Sequence, residues 1–286
     1  MPAAASAALA RVRHVVLDMD GTIYKGGTLF PWTKPFLARL AALGIGHTFL
    51  TNNPSKSAAE YLDKLARLGL PSSPGHLYTS ALAVIDWLRA SRPDLRRLFL
   101  LGPPGMIAEF GRAGFQSAED DPADSPDAVV AGFDTSLTYA RLCRAAWWVS
   151  QGRPYLATNP DYVCPTDQPT VLVDCGSICA AIKAATGRAP DRVFGKPDPS
   201  MLAGILARHG LQPREVAMVG DRLYTDVAMA KNAGCLGILV FSGEATRADA
   251  DAAPPAHRPD LVFENLATLG ESLAAARHAT PAANPH

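Results

Sequence analysis

Residues 13–27 read "RHVVLDMDGTIYKGG". The apolar run at 15–17 predicts a buried strand, and Asp18 and Asp20 follow at its end, before Gly21 and a sharp turn. Residues i and i+2 of a strand share one face, so both carboxylates can approach a single ligand. Ligands of open parallel sheets bind beyond the carboxyl ends of the strands, and this stretch therefore predicts a site at such an end.

The rest of the chain alternates strand-like and helix-like segments, as a parallel sheet wrapped by helices requires. Strand-sized apolar segments are predicted at 14–20, 46–52, 191–196, 215–221, 237–243 and 260–266, with a further group at 96–102, 127–134 and 153–159. Amphipathic helical segments separate them, and several end at a glycine. The middle group predicts a second, smaller sheet.

Composition limits the class of protein. The chain has 286 residues, 48% of them apolar, and 27 Lys plus Arg balance 27 Asp plus Glu. Balanced charge without a basic cluster argues against nucleic acid as a partner, and no apolar run reaches the roughly 18 residues of a membrane span. The 5 cysteines form no CxxC pair, which argues against a disulfide framework or a zinc site. We expect a cytoplasmic protein that binds neither nucleic acid nor membrane, with a frayed, Ala-rich start.

Polar or charged side chains follow four of the predicted strands. They are Asp18 and Asp20, then Thr51 and Asn52, then Lys196, then Asp221 with Asp226. Each is ordinary by itself, because a strand-terminal Asp is commonly a turn residue and a single Lys is commonly solvated. Together, each after an apolar strand, they indicate one site at the carboxyl edge of the sheet.

This set of residues fits phosphoryl transfer through an aspartyl-phosphate. Asp18 would attack phosphorus, and a hard cation would lie between Asp18 and Asp221. Lys196, the Thr51 hydroxyl and neighbouring amides would neutralise the phosphoryl oxygens. Ligands that are all oxygen favour Mg²⁺ as the cation. Asp20 would protonate the leaving oxygen and later accept a proton from the attacking water.

Four short segments carry a resemblance to a known family. They are "DMDGT" (18–22), "LTNN" (50–53), "GKP" (195–197) and "GDRLYTD" (220–226), which resemble the four motifs of the haloacid dehalogenase superfamily of Mg²⁺-dependent phosphatases. The runs "TNNPS", "ATNPD" and "FGKPDPSML" are similar to those of subclass IIA, the NagD-like and p-nitrophenyl phosphatase-like hydrolases. The resemblance runs from about residue 14 to about residue 268.

The resemblance implies a role for each matching position. Asp18 is implied as nucleophile and Mg²⁺ ligand, and Asp20 as acid/base and as a metal ligand through its carbonyl. Thr51 and Lys196 are implied to bind phosphate, together with the backbone amide of Asn52. Asp221 is implied as a metal ligand, with Asp226 and Gly21 as supporting residues. The cofactor implied is Mg²⁺.

Motif spacing predicts where an additional domain is inserted. About 30 residues separate Asp20 from Thr51, whereas 145 separate Thr51 from Lys196, far more than the dozen or so that a crossover needs. The resemblance implies an α/β fold, a Rossmann-like doubly wound parallel sheet core with an inserted α/β cap domain of the C2 type. We expect a discontinuous core of 1–79 plus 181–286, a cap at 80–180 that excludes water from the site, and a disordered tail at 277–286.

The chain departs from the family pattern in the predicted cap. Relatives commonly show a glycine-rich stretch where this chain reads "YVCPTDQPTVLVDCGS" (162–177). Asp161, Asp174, Cys175 and Gly176 are therefore candidates for contact with the leaving group, although Asp161 and Asp174 fit helix caps equally well. The substrate stays open among sugar phosphates, glycerol phosphate, phosphoglycolate, nucleotides and pyridoxal phosphate. A small phosphate ester is the expected partner, and a homodimer is allowed.

Two other functions compete with a phosphatase. A signalling receiver domain also arranges aspartates, Thr and Lys around Mg²⁺, but it needs neither an acid/base at Asp20 nor a large insertion. A non-catalytic phosphate-binding protein of the same fold has no chemical need to retain all of Asp18, Asp20, Lys196 and Asp221. Asp20 thus discriminates the phosphatase from a receiver domain, and the presence of all four residues argues against the non-catalytic protein.

Overall fold

The computed structural model describes residues 2–54, 56–70, 72–164 and 169–279. Its strands are β1 (His14–Asp18), β2 (Tyr24–Lys25), β3 (Thr28–Leu29), β4 (Gly46–Thr51), β5 (Leu77–Thr79), β6 (Arg97–Leu101), β7 (Gln116–Ser117), β8 (Ala128–Ala131), β9 (Tyr155–Ala157), β10 (Val163–Cys164), β11 (Leu172–Val173), β12 (Arg192–Val193), β13 (Val216–Gly220), β14 (Leu236–Val240) and β15 (Leu261–Phe263). Its α-helices are α1 (Ala3–Arg11), α2 (Thr33–Ala42), α3 (Ala58–Arg67), α4 (Ser80–Ser91), α5 (Pro104–Arg112), α6 (Tyr139–Ser150), α7 (Cys175–Thr186), α8 (Ser200–His209), α9 (Ala228–Ala233), α10 (Arg247–Ala252) and α11 (Leu266–Ala279).

A parallel sheet with the order β15-β14-β13-β1-β4-β5 forms the core of the described residues. Side chains of β1 alternate between its faces, so Val15 and Leu17 enter one apolar cluster and Val16 enters another. Helices cover both faces, which is why β1 is apolar at every position from 15 to 17. The α/β, doubly wound prediction for the core is confirmed.

The Ala-rich start is folded, and the prediction of a frayed terminus is wrong. Leu9 on α1 is fully buried in the same cluster as Val15. Arg277 of α11 donates a hydrogen bond from Nη2 to the Val12 carbonyl at 2.8 Å. Residues 277–279 therefore belong to a packed helix and not to the predicted tail, while 280–286 lie outside the described residues.

A second parallel sheet has the order β12-β9-β8-β6-β7, which confirms the predicted small sheet. The segment predicted at 191–196 contributes β12 to this sheet and not to the core, so that assignment was wrong. The predicted boundary at 180 falls inside α7, and β12 follows it. The second unit of the fold thus ends near Val193, later than its sequence pattern indicated.

Two antiparallel hairpins complete the described strands. The pair β2 and β3 follows Asp20, and the pair β10 and β11 lies between β9 and α7. None of the helices in the described ranges is both long enough and apolar enough to cross a bilayer.

Candidate active site

Sheet order brings the predicted site residues together. β1 lies between β13 and β4 in the core sheet. The three strands end at Asp18, at Gly220 just before Asp221, and at Thr51. From β1 the chain adds β4 and β5 on one side and later β13, β14 and β15 on the other, so β1 is the point at which the strand order reverses. A ligand site is expected in the crevice at that point.

Lys196 reaches the same place from a different unit of the fold. It follows β12, where the chain leaves the second sheet and returns to the core. Its Nζ donates to the Asp18 carboxylate, and to Asp226 Oδ1 at 2.7 Å. The ammonium and both carboxylates are buried. These two acceptors raise the pKa of Lys196 even though burial opposes them, so this lysine stays charged.

Three buried carboxylates lie close together beside this ammonium, which donates to Asp18 and Asp226 and has no ion pair with Asp221. Asp18, Asp221 and Asp226 each place an oxygen within 4.8 Å of the others. Burial, together with the charges of Asp18 and Asp226, raises the pKa of Asp221 to about 7. The cluster therefore carries more negative charge than its lysine neutralises.

One oxygen of the Asp221 carboxylate lacks a hydrogen-bond partner in the described part of the chain. Its Oδ2 accepts a hydrogen bond from Glu244 N at 2.8 Å, whereas its Oδ1 is buried with none among the described residues. A Cβ on Gly21 would lie 2.3 Å from Oδ2, and one on Gly243 would lie 1.9 Å from it. Gly21 also has a φ of +85°, which favours glycine. An orphaned carboxylate oxygen among three acids is what a hard divalent cation fits.

Asp226 differs from Asp221 because both of its oxygens are used. Oδ1 accepts from Lys196, and Oδ2 accepts from Arg222 N at 3.1 Å. Its carboxylate thus holds the lysine and the turn that follows Asp221, in keeping with a supporting position.

Asp20 lies outside the carboxylate cluster and is exposed to the cavity. Partial burial raises its pKa, which Asp18 also raises and Lys64 lowers. A raised pKa leaves a carboxyl protonated over more of the pH range, which suits a proton donor. Asp18 and Asp20, two residues apart, therefore have distinct environments.

Asn52 clamps the segment that carries Lys196. Its Oδ1 accepts from Lys196 N at 2.6 Å, and its Nδ2 donates to the Lys196 carbonyl at 3.1 Å. The same Nδ2 donates to Asp161 Oδ2 at 3.0 Å. The sequence predicted a role only for the backbone amide of Asn52. Its side chain, however, connects the core to the segment that returns from the second sheet.

The residues predicted on the cap side divide into two groups. Asp161 and Asp174 line the cavity, and both accept hydrogen bonds from Asn159 Nδ2, at 3.1 and 2.9 Å. Asp174 also caps α7 by accepting from Cys175 N at 2.6 Å, and burial raises its pKa to about 6. The buried Asn159 was not identified from the sequence, although it lies in the quoted "ATNPD" run.

Cys175 and Gly176 do not reach the cavity wall, which contradicts their predicted contact with the leaving group. The Cys175 thiol is buried in the apolar cluster of the second sheet and donates to the Ala131 carbonyl at 3.3 Å. A Cβ on Gly176 would lie 2.3 Å from the Pro160 carbonyl oxygen, so this glycine permits close packing.

These elements enclose a cavity of about 250 Å³. Of the predicted residues, its lining contains Asp18, Asp20, Thr51, Asn52, Lys196, Asp161 and Asp174. It also contains residues that the sequence did not single out, among them Tyr24, Lys56, Tyr61, Lys64 and Arg222. The i, i+3 spacing of Tyr61 and Lys64 on α3 was the available signal, since such a pair shares a helix face.

Comparison with known proteins gives a consistent result. Residues 15–116 match the haloacid dehalogenase-like hydrolase family, and 193–269 match the HAD-hydrolase-like family. The ribonucleotide monophosphatase NagD of Escherichia coli is 31% identical over 258 residues, covering 90% of this chain and 98% of that protein.

Solved structures agree with this match. The 4-nitrophenylphosphatase of Thermotoga maritima superposes with a TM-score of 0.86 at 39% identity, covering 93% of this chain and 99% of that one. A glycerol phosphate phosphatase of Mycobacterium tuberculosis in complex with magnesium gives a TM-score of 0.82 at 30% identity, covering 93% and 77%. The chain belongs to the haloacid dehalogenase-like hydrolases and, within them, to the NagD-like phosphatases.

Proposed function

We propose that this phosphatase hydrolyses a small-molecule phosphate monoester through an aspartyl-phosphate on Asp18. The observation that carries the proposal is the contrast between Asp18 and Asp20. Asp18 is buried at the end of β1, where the Lys196 ammonium donates a hydrogen bond to its carboxylate and holds it in a fixed position for attack. Asp20 faces the cavity with a raised pKa, which favours a proton donor.

The two carboxylates act in sequence. An Asp18 oxygen attacks phosphorus while Asp20 gives its proton to the departing ester oxygen. Asp20, now ionised, takes a proton from water as that water attacks the phosphorus of the aspartyl-phosphate. Phosphate leaves, and both carboxyl groups return to their starting states. General acid/base help of this kind contributes roughly 10² to 10⁴ in rate.

Thr51, Asn52 and Lys196 hold the phosphoryl group. Thr51 and Lys196 line the cavity, one at the end of β4 and the other beside Asp18. Lys196 supplies a positive charge that is fixed before the substrate arrives, because Asp226 and the Asn52 clamp hold it. Preorganised donors of this kind stabilise charge that develops on phosphoryl oxygens.

We propose Mg²⁺ as the cofactor, which the carboxylates of Asp18 and Asp221 and the main-chain carbonyl of Asp20 would hold. The unpartnered Oδ1 of Asp221 and the surplus of negative charge support this assignment. The magnesium complex of the mycobacterial relative supports it as well. Bound Mg²⁺ supplies positive charge that offsets the repulsion between an anionic nucleophile and an anionic phosphate.

The second sheet acts as the cap. Its Asp161 and the hairpin residues Val163 and Cys164 form part of the cavity wall, opposite residues from the core. We propose that this unit excludes water during transfer and contacts the leaving group. We place the end of this unit near residue 193, after β12, and not at the boundary of 180 predicted from the sequence.

Phosphate release from p-nitrophenyl phosphate tests the proposal. We expect turnover with Mg²⁺, loss of turnover after chelation, and inhibition by excess Ca²⁺, because Ca²⁺ takes 6 to 8 oxygens and would engage the Asp18 oxygen needed for attack. Full activity after exhaustive chelation, or equal rates with both ions, would contradict the proposed metal site.

A further inference from the structure

Two lysines of the cavity wall are not held in an ion pair with any of the described residues. Lys64 lies on α3, and Lys56 precedes the Ser57 cap of that helix. Among the residues that the structure describes, neither ammonium has a carboxylate oxygen within 4.0 Å. Lys64 is half-buried, with Nζ 3.9 Å from the centroid of the Tyr24 ring. Ammonium groups that face one cavity repel each other unless an anion lies between them.

The other cations of this wall are already neutralised. Lys196 donates to Asp18 and Asp226, and Arg222 Nε lies 2.9 Å from Glu244 Oε2. The carboxylates contributed by the second sheet are likewise hydrogen-bonded, to Asn159. Apart from Asp20, which has a role in the chemistry, Lys56 and Lys64 are the charges of the described wall that a ligand has to match.

We propose that Lys64, assisted by Lys56, binds a second anionic group on the leaving-group side of the substrate. The inference rests on the proposed function and narrows its substrate class. A cavity of about 250 Å³ is small for a ligand site. The substrate is therefore a short phosphate monoester that carries a carboxylate or a second phosphate, such as the phosphate ester of a hydroxy acid. Lysine binds either group as a point charge.

Matched substrates of equal size separate charge from shape. We expect kcat/KM of the wild type to be at least about tenfold higher for 2-phosphoglycolate than for ethyl phosphate, whose leaving group is uncharged, and lower for phosphoethanolamine, whose leaving group is cationic, than for ethyl phosphate. Ethylene glycol bisphosphate, compared with 2-phosphoglycolate, identifies whether phosphate or carboxylate is preferred. No preference for either anionic ester over ethyl phosphate would overturn the proposal.

Substitution of Lys64 tests the residue. In Lys64→Gln we expect KM for the preferred anionic ester to rise about 10- to 100-fold while kcat changes little, because the lost contact is made equally in the ground and transition states. Lys64→Arg should restore most of the affinity. Arg67→Gln removes the same charge from the same helix outside the cavity wall and should leave the substrate ratio unchanged.

Two outcomes distinguish this inference from the function on which it rests. If Lys64→Gln lowers kcat equally for esters with anionic and with uncharged leaving groups, the lysine acts on Asp20 or on the fold, and the inference fails while the phosphatase stands. Binding gives an independent readout: 2-phosphoglycolate should raise the melting temperature of Asp18→Asn more than ethyl phosphate does, and Lys64→Gln in that background should remove the difference. That result would uphold the anion site even if the aspartyl-phosphate mechanism failed, and its absence would overturn the site.

Discussion

Buried aspartates follow strands in both parallel sheets of this chain, but their charge is balanced by neighbouring groups only in the second sheet. In the core, Asp18 and Asp226 pair with Lys196, whereas Asp221 beside them has no ion pair and its Oδ1 has no partner among the described residues. After the strands of the second sheet, Asp134 accepts from Ser136 N at 2.9 Å and from Arg141 Nη1 at 2.7 Å. Its carboxylate is buried as well, yet its charge is balanced.

Burial of an acid therefore does not by itself make a reactive site. Where an arginine and backbone donors compensate a buried carboxylate, the group stabilises the fold. Where carboxylates outnumber their cations, the cost of burying the charge remains until a metal or substrate offsets it. The same substitution, Asp to Asn, should therefore have opposite consequences in the two sheets.

The largest effect is expected at the core nucleophile. Asp18→Asn should lower kcat by about 10⁴-fold or more, because an amide of the same volume cannot attack phosphorus. Circular dichroism should match that of the wild type. As the matched control, Asp134→Asn should keep most of its turnover, and a wild-type kcat in Asp18→Asn would break the comparison.

The second effect separates the two carboxylates that follow β1. Asp20→Asn should lose roughly 10² to 10⁴ in rate on alkyl phosphates, whose alkoxide needs a proton to depart. On an aryl phosphate, attack should continue while hydrolysis slows, so intact-mass measurement after acid quench should find a phosphoryl adduct on Asp18. An adduct on another residue, or none with equal losses for both ester types, would overturn this division of roles.

The third effect concerns the surplus charge of the core cluster. A hundredfold excess of Mg²⁺ over its Kd should raise the melting temperature of the wild type by about 5 °C, because only the folded state binds the ion. Asp221→Asn should lose most of this shift, whereas Asp134→Asn should retain it. An undiminished shift in Asp221→Asn would place the ion elsewhere.

The fourth effect concerns stability and Asp134, the buried acid that follows a strand of the second sheet and pairs with Arg141. Asp134→Asn should lower the free energy of unfolding by about 2 kcal/mol, since Arg141 loses a charged partner but stays partly exposed. Urea unfolding measures the change, with Asp94→Asn at an exposed ion pair as the control that should change little. A loss at Asp134 no larger than at Asp94 would show that the buried pair is not stabilising.

The last effect, of a size similar to the fourth, is a pH dependence of stability at Asp174. Burial raises its pKa to about 6, so the folded state retains a proton that the unfolded state has released above its ordinary pKa. Stability from this group is therefore present below about pH 4 and falls as pH rises to about 6. Relative to Asp174→Asn, the wild type should lose about 1 to 3 kcal/mol across that interval, and parallel stability curves for the two proteins would contradict the shift.

Sequence reasoning recovered the core site because its signals are local. Asp18, Thr51 and Asp221 each follow an apolar strand, and parallel strands end at a common edge. Lys196 lies beside Asp18, where the sequence predicted it, although its strand belongs to the other sheet, since a residue between two units can reach the edge of either. Cys175 and Gly176 were misplaced because a motif position does not show which way a side chain points.

The residues that sequence reasoning missed share a physical cause. Lys64 on an amphipathic helix looks like any solvated lysine, and Gly243 looks like any turn glycine. Their significance comes from what lies across the fold: the Tyr24 ring for one and the Asp221 carboxylate for the other. Such contacts join segments that are far apart in the chain, so the local spacing of apolar and polar residues does not predict them.

By itself, the sequence determined the alternation of strands and helices, the presence of two sheets and the residue types at the strand ends, because these depend on side-chain chemistry and short-range spacing. Tertiary structure decided that β12 joins the second sheet, that Asn52 clamps Lys196, and which buried acids are compensated. The physical reason is that the state of a charge depends on every group within a few ångströms, and those groups are chosen by the fold and not by neighbours in the chain.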